Sequence, residues 1–201
     1  REEFLYWYPV DLRVSAKELV PNHLSFFIFQ HVALFPMEYW PRGIGVNGML
    51  TIEGEKMSKS KGNFVTLKSA VNRFGADVTR LTLVLGAQDM DDPDWREENV
   101  RSVDVKLKAL YNFVSQIASL PGEREAKSLD RWLISAMQQR IHEITEAIEV
   151  LKTRTAAEIA FFEVWNDIRW YLRRAGTPNP KVLREALDIW IRLLSPFAPY
   201  I

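Results

Sequence analysis

Lys56-Met57-Ser58-Lys59-Ser60-Lys61-Gly62-Asn63 packs three lysines, two serine hydroxyls and a glycine into eight residues. Phosphate chemistry asks for this mixture. Ammonium groups supply compact positive charge, hydroxyls donate hydrogen bonds, and glycine lets backbone approach a ligand closely. The same octamer also suits a plain solvated basic loop, because short basic motifs recur by chance. Its neighbours must decide.

The elements before the loop are strand-like. Ile44-Gly45-Val46 and Met49-Leu50-Thr51-Ile52 are each followed by a turn signal, Asn47-Gly48 and then Glu53-Gly54-Glu55. Short strands so punctuated would present the loop at one end of a sheet, where open α/β sheets bind ligands. Further upstream, the aromatic run Phe4 to Tyr8, bounded by Pro9, predicts a buried strand. Val10 to Val14 reads as short and extended. From Ser15 the pattern turns helical, with Leu19, Leu24, Phe27, Phe29 and Val32 available to a core, Pro21 in the first turns and Pro36 at the end. Glu18 and His23 flank the entrance to this helix. On residues alone, Glu18 can be a ligand group or a first-turn partner of the helix dipole, and His23 a site residue or a core histidine.

The chain has 201 residues, 47% hydrophobic and 26% charged, a globular composition. Lysine plus arginine balances aspartate plus glutamate at 26 each, so contact with nucleic acid must come from a local patch. There are no cysteines, which excludes disulfides and cysteine-ligated zinc and fits a reducing compartment. His23, His31 and His142 are too scattered for a histidine-only metal centre, and no metal site within the chain is expected. No apolar run reaches membrane-spanning length. The first residue is Arg1 and the chain closes on Tyr200-Ile201, which leads us to expect a piece of a longer polypeptide.

Beyond the loop the pattern is helical. Thr66 can cap a short helix through about Arg73, with Gly75 as its stop, and a second helix runs from Ala76 to about Leu85. Gln88 to Trp95 reads as an acidic loop. Val100, Val103, Leu107, Leu110, Val114 and Ile117 define a long helix that Pro121-Gly122 ends. Another starts near Ser128, with Trp132, Ala136, Ile141, Ile144, Ile148 and Leu151 on one face. Thr155 with Glu158 predicts a capping box that opens a helix carrying Ile159, Phe162, Trp165, Ile168 and Leu172. Asn179-Pro180 supplies N-cap and first-turn proline for the last helix, which Pro196 stops. Four long amphipathic helices predict a bundle. Its aromatic stripe, Phe161, Phe162, Trp165, Trp170 and Tyr171, is expected in the core. Arg169, Arg173 and Arg174 can hold RNA phosphates or form a solvated helix end.

These residues together resemble a family. Lys-Met-Ser-Lys-Ser is the signature loop of class I aminoacyl-tRNA synthetases, and Lys61-Gly62-Asn63 extends the match. Ala16-Lys17-Glu18 and His23 resemble the Gly-Lys-Asp/Glu-x4-His element of the methionyl and leucyl branch, with Ala16 in place of glycine. Residues 8–24 and 160–174 look like leucyl-tRNA synthetases of the archaeal and eukaryotic type. Gly75 to Leu81 resembles the Gly-Ala-Asp-x-x-Arg-Leu run of the family's stem-contact region. Leu194 to Tyr200 resembles its Leu-x-Pro-x-Ala-Pro-His phrase, with Tyr200 departing from histidine.

The resemblance implies an α/β part, the second half of a Rossmann-like nucleotide-binding fold, over residues 1–65. A stem-contact-like helical connector would follow over 66–122, then an all-α anticodon-binding-type bundle over 123–201, giving a mostly α chain. It implies a parent leucine–tRNA ligase, cytoplasmic and monomeric, that uses ATP with Mg2+, leucine and tRNA(Leu). Leucine's carboxylate would attack the α-phosphate of ATP, and the tRNA's terminal 2′-hydroxyl would then take the leucyl group. Lys56 and Lys59 would stabilise the charge that develops on the phosphates, with Ser58 and Ser60 shaping the loop and Met57 packing it down. Glu18 would bind the ATP ribose and His23 would line the leucine pocket. Arg169, Arg173 and Arg174 would contact tRNA. The His-x-Gly-His element and the editing insertion of the family are expected before Arg1, so these residues alone are expected to be inactive. Isoleucyl, valyl and methionyl enzymes share the loop and the bundle, and a non-catalytic helical tRNA-binding module is the alternative from another class.

Overall fold

The computed structural model describes residues 1–58, 60–122 and 124–201. The chain opens with α1 (Glu2–Trp7), where the aromatic run had predicted a buried strand. Phe4 and Tyr8 stack at 4.4 Å between ring centroids, an i,i+4 pair that only a helical turn brings together. Phe4 also stacks on Phe35 at 5.4 Å, while Tyr6 and Trp7 stay exposed.

β1 (Arg13–Ala16) lies parallel to β2 (Ile44–Asn47), with Arg13 opposite Ile44 and Ala16 opposite Asn47. Parallel neighbours need a crossover. Here it includes a 3-10 turn (Lys17–Leu19), a π turn (Val20–Leu24) that takes Pro21 in its first positions, α2 (Ser25–Leu34) and a second 3-10 turn (Met37–Tyr39). The regular helix therefore begins ten residues after the predicted Ser15, because Ser15 and Ala16 still belong to the strand.

β3 (Thr51–Ile52) pairs antiparallel with β4 (Glu55–Lys56) and parallel with β5 (Asp94–Trp95). The segment expected as loop from Gln88 thus ends in a strand, too short to show an alternating pattern, whose Trp95 is buried. Asp94 ties this small sheet together. Its carboxylate accepts the Gly54 amide at 2.8 Å, the Thr51 hydroxyl at 2.9 Å and Arg96 Nε at 2.7 Å. These donors, the Gly54 amide foremost, hold it below the usual carboxylate range.

The helical part follows local signals closely. α3 (Leu67–Phe74) starts where the Thr66 hydroxyl accepts the Ser69 amide, and it stops at Gly75, whose φ of 85° suits only glycine well. Next come α4 (Ala76–Gly86), α5 (Glu97–Ala118) and α6 (Ser128–Glu149). α7 (Thr153–Glu158) and α8 (Val164–Arg174) are joined by a π turn (Ile159–Glu163), and α9 (Pro180–Leu194) is capped by Asn179 as predicted. Buried side chains from Ala70 on α3 to Ala198 after α9 form one continuous hydrophobic cluster.

Several sequence expectations fail in this part. The Thr155–Glu158 capping box does not form, because the helix already starts at Thr153. The Thr155 amide and hydroxyl both donate to Gln88 Oε1, at 3.1 and 2.7 Å, and Glu158 accepts from Arg154 instead. From α7 onward, the fully buried line is Ala157, Phe161, Val164, Ile168 and Tyr171, while Ile159, Phe162, Trp165 and Leu172 are only partly buried. The expected residues are mostly three apart and so drift around the helix, whereas the buried ones, four or three apart in turn, keep one face through the π turn. Within that turn, the Ala160 carbonyl accepts the buried Trp190 indole at 2.7 Å. On α6 the buried line is Leu133, Met137, Ile144 and Ala147, and Ile148 is exposed. Of the aromatic stripe, Trp170 packs at 4.2 Å on Trp132 as a partly buried pair.

Polar groups join the helix ends. Buried Asp130 accepts two hydrogen bonds from Arg124, at 2.6 and 3.0 Å, plus the Lys127 amide at 2.7 Å and the Tyr171 hydroxyl. The Tyr171 oxygen in turn accepts the Asn179 amide at 2.8 Å. Burial pushes the Asp130 carboxyl up, but these donors pull it further down, to a net value below 3.8. Burial raises the Tyr171 phenol to about 12. Among the described residues no helix is long and apolar enough to cross a membrane.

Candidate active site

The lysine loop leaves β4 directly, and the crossover from β1 supplies the opposing side. Glu18 sits in the 3-10 turn just beyond β1, and its Oε1 accepts from Lys56 Nζ at 3.0 Å. Both side chains are exposed, Glu18 by 49% and Lys56 by 76%. An ion pair this open to water is worth about 0–1 kcal/mol, so either partner can turn to a ligand at little cost.

Within the loop, the Ser58 and Ser60 hydroxyls lie 2.8 Å apart, and Met57 is partly buried. Lys59 lies outside the described residues. The Asn63 carboxamide closes the neck, accepting the Ser58 amide at 2.9 Å through Oδ1 and donating to the Lys56 carbonyl at 3.2 Å through Nδ2. Gly62, at φ 74°, makes the left-handed turn just before Asn63. Lys61 reaches back to Glu55 at 3.2 Å. The position of Asn63 in the motif was visible in the sequence, but its bridging role was not.

A second set of contacts fixes the same end of β1. Lys17 pairs with Asp92 at 2.6 Å and donates to the Met90 carbonyl at 3.2 Å, and Asp92 also accepts the Met49 amide at 2.7 Å. Lys17 first, then that amide, holds the Asp92 carboxyl below its ordinary value. Gly48 permits this approach, since a Cβ there would stand 1.9 Å from the Asp91 carbonyl oxygen. The chain just before Glu18 and the chain leading to Lys56 are thereby tied to the 88–95 segment.

His23 is exposed, with its Nε2 3.3 Å from an Arg13 guanidinium nitrogen. The core histidine is His31 instead, which donates to the Phe27 carbonyl at 2.7 Å and stacks on Tyr8 at 5.7 Å. Arg169, Arg173 and Arg174 are exposed on α8, in the helical part and away from the loop in sequence. Arg174 lies 4.3 Å over the Trp170 ring, and Arg169 lines a cavity of about 200 Å³ with Lys106, Phe162 and Trp165. The structure thus joins Glu18 with Lys56, and Ser58 with Ser60, and keeps the arginines as a separate group.

Residues 3–118 match the family model for tRNA synthetases class I (M), and residues 130–201 match the anticodon-binding domain of tRNA ligase. The chain belongs to the class I tRNA synthetases. Over its whole length it is 51% identical to the leucine–tRNA ligase of Archaeoglobus fulgidus and 46% identical to that of Pyrococcus horikoshii. In each case it spans 21% of the relative's length. The leucyl resemblance of residues 8–24 and 160–174 agrees with these relatives.

Two solved synthetases share the fold. The chain superposes on Mycobacterium tuberculosis methionyl-tRNA synthetase in complex with methionyl-adenylate at a TM-score of 0.81 and 21% identity, covering 100% of this chain and 44% of that one. The Agrobacterium radiobacter K84 LeuRS, in a ternary complex with tRNA and LeuAMS, gives 0.74 and 23%, covering 95% and 26%. This synthetase chain shares their fold as an α/β part followed by helices.

Proposed function

We propose that this chain is the part of a leucine–tRNA ligase that holds the lysine loop for leucine activation and a helical bundle for tRNA(Leu). The observation that carries this reading is the meeting of Lys56 and Glu18 beside paired loop hydroxyls in a class I synthetase chain. Residues 1–65 serve the nucleotide, 66–122 connect, and 123–201 face tRNA. The parent works as a cytoplasmic monomer on ATP accompanied by Mg2+. The leucine–tRNA ligase names of the relatives support leucine over isoleucine, valine or methionine.

The residues divide the chemistry as follows. Glu18 accepts hydrogen bonds from the ATP ribose hydroxyls, and its exposed carboxylate suits that task. Lys56 swings from Glu18 to the phosphate oxygens as negative charge moves toward the leaving pyrophosphate, and Lys59 acts with it. Interactions that strengthen as this charge develops lower the barrier, whereas equal contact with bound ATP would not. Met57, Ser58 and Ser60 keep the loop in shape beside the nucleotide. His23, held by Arg13, lines the leucine pocket. Leucine's carboxylate is already a nucleophile, and no side chain has to remove a proton from it. Arg169, Arg173 and Arg174 pair with tRNA phosphates.

ATP–pyrophosphate exchange by the full-length parent tests this reading, with leucine, isoleucine, valine and methionine offered in turn. Exchange that depends on leucine and falls about a hundredfold or more in Lys59→Ala is the expected result. Exchange driven equally by another of the four, or unaffected by Lys59→Ala, would overturn it.

A further inference from the structure

We propose that Asn63 is a positioning residue for leucine activation, setting the loop backbone from which Lys56 acts. The inference rests on the function proposed above. Three observations carry it. The Asn63 carboxamide spans the neck of the loop, taking the Ser58 amide on one atom and giving a hydrogen bond to the Lys56 carbonyl with the other. One side chain thus fixes both ends of the Lys56–Ser58 stretch. Gly62 turns the chain in the left-handed region, which brings Asn63 back over that stretch rather than onward into α3. The lysine whose carbonyl is held is the one whose ammonium reaches Glu18 at 3.0 Å.

A carboxamide is the side chain that can do this, because it offers one acceptor and one donor from the same planar group. Among the described residues, two further side-chain links lie within the loop: the Ser58–Ser60 hydroxyl pair, which does not reach across the neck, and Lys61 to Glu55, whose side chains are each 63% exposed so that water screens it. Asn63 therefore dominates the closure of the neck. Its atoms are committed to backbone, so it acts through the loop and does not need to touch the nucleotide.

Chemistry distinguishes this role from general support of the fold. Lysines on the phosphates matter while pyrophosphate departs. Once the leucyl-adenylate has formed, transfer to the tRNA hydroxyl leaves no pyrophosphate for them to hold. A loop-positioning residue should affect the first step and spare the second.

The test uses the full-length parent, wild type and Asn63→Ala. Three quantities are measured: kcat and leucine KM for ATP–pyrophosphate exchange, single-turnover transfer from preformed leucyl-adenylate to tRNA(Leu), and the thermal midpoint. We expect exchange kcat to fall about 10–100-fold, the scale for a misplaced reacting group. Leucine KM and the transfer rate should stay within about twofold, and the midpoint within about 3 °C, as for a surface substitution. Unchanged exchange in Asn63→Ala would overturn the proposal while leaving the leucine-activation reading intact. An equal fall in both steps, or a large drop in midpoint, would assign Asn63 a merely structural role and also overturn it. Absence of leucine-dependent exchange in the wild type would refute the underlying reading, and the proposal with it.

Discussion

Lys56 Nζ meets Glu18 Oε1 at 3.0 Å although the two residues stand 38 positions apart. The strand pair β1–β2 and its crossover bring Glu18 to the end of one sheet, and the β3–β4 hairpin brings Lys56 to the end of another. Glu18→Gln should therefore act on the nucleotide rather than on the fold. We expect a rise of about tenfold in ATP KM for pyrophosphate exchange by the parent, with stability changed by no more than about 1 kcal/mol. Parallel exchange kinetics and urea denaturation check both halves.

Asp130 anchors the polar network among the ends of α6, α8 and α9. Its side chain is fully buried, and Arg124 binds it through two hydrogen bonds. Asp130→Ala would leave Arg124 without its charge partner, at a cost of about 3–5 kcal/mol, read as a lower urea midpoint. The native pKa is depressed, so the carboxylate contributes stability above its unfolded value of 3.8 and loses it as pH falls through the lower native value. Acid unfolding curves should show that loss in the wild type and not in Asp130→Asn.

Tyr171 gives the opposite pH signature. Its pKa is raised from 10.0 to about 12, so its stabilising effect is complete below pH 10 and disappears as pH rises toward 12. Tyr171→Phe should cost about 1–3 kcal/mol near neutrality, because Asp130 and the Asn179 amide each lose a partner. The gap between the two proteins should narrow by about 2–3 kcal/mol between pH 10 and 12. Denaturant titrations at several alkaline pH values measure it.

Features governed by neighbouring residues were legible in the sequence. Thr66 and Gly75 bracket α3, and Asn179 with Pro180 opens α9, because caps are set within one turn of chain. The lysine octamer was visible for the same reason. Features that depend on distant partners were not. Thr155 looked like a cap residue until Gln88, 67 positions away, took both its donors. The core face of α7 and α8 was misplaced because Ile159, Phe162 and Trp165 recur every three residues and drift around the helix, while the buried Ala157, Phe161, Val164, Ile168 and Tyr171 alternate steps of four and three. Phe4 to Tyr8 carries strand-forming residue types, and only stacking with Phe35 reveals why a helix suits it. In the site, Glu18 and Lys56 were each recognisable, whereas their contact and the bridge made by Asn63 required the fold.

Gly48 marks the tightest approach near the site. Gly48→Ala would force the Asp91 carbonyl to move, since the added Cβ would lie 1.9 Å from it. We expect a loss of about 1–3 kcal/mol in stability, the usual range for overpacking. Loosening of the Lys17–Asp92 pair should accompany it, visible as faster hydrogen exchange of the Met49 amide that Asp92 now holds. An unchanged urea midpoint and exchange rate would contradict this.

The central claim is that the Lys56 ammonium stabilises charge as pyrophosphate leaves. Leucine-dependent ATP–pyrophosphate exchange by the full-length parent, comparing wild type with Lys56→Ala, tests it most directly. The account predicts a fall in kcat of about a hundredfold, the scale of losing one donor to developing charge, with leucine KM little altered. Equal kcat in the two proteins would contradict it.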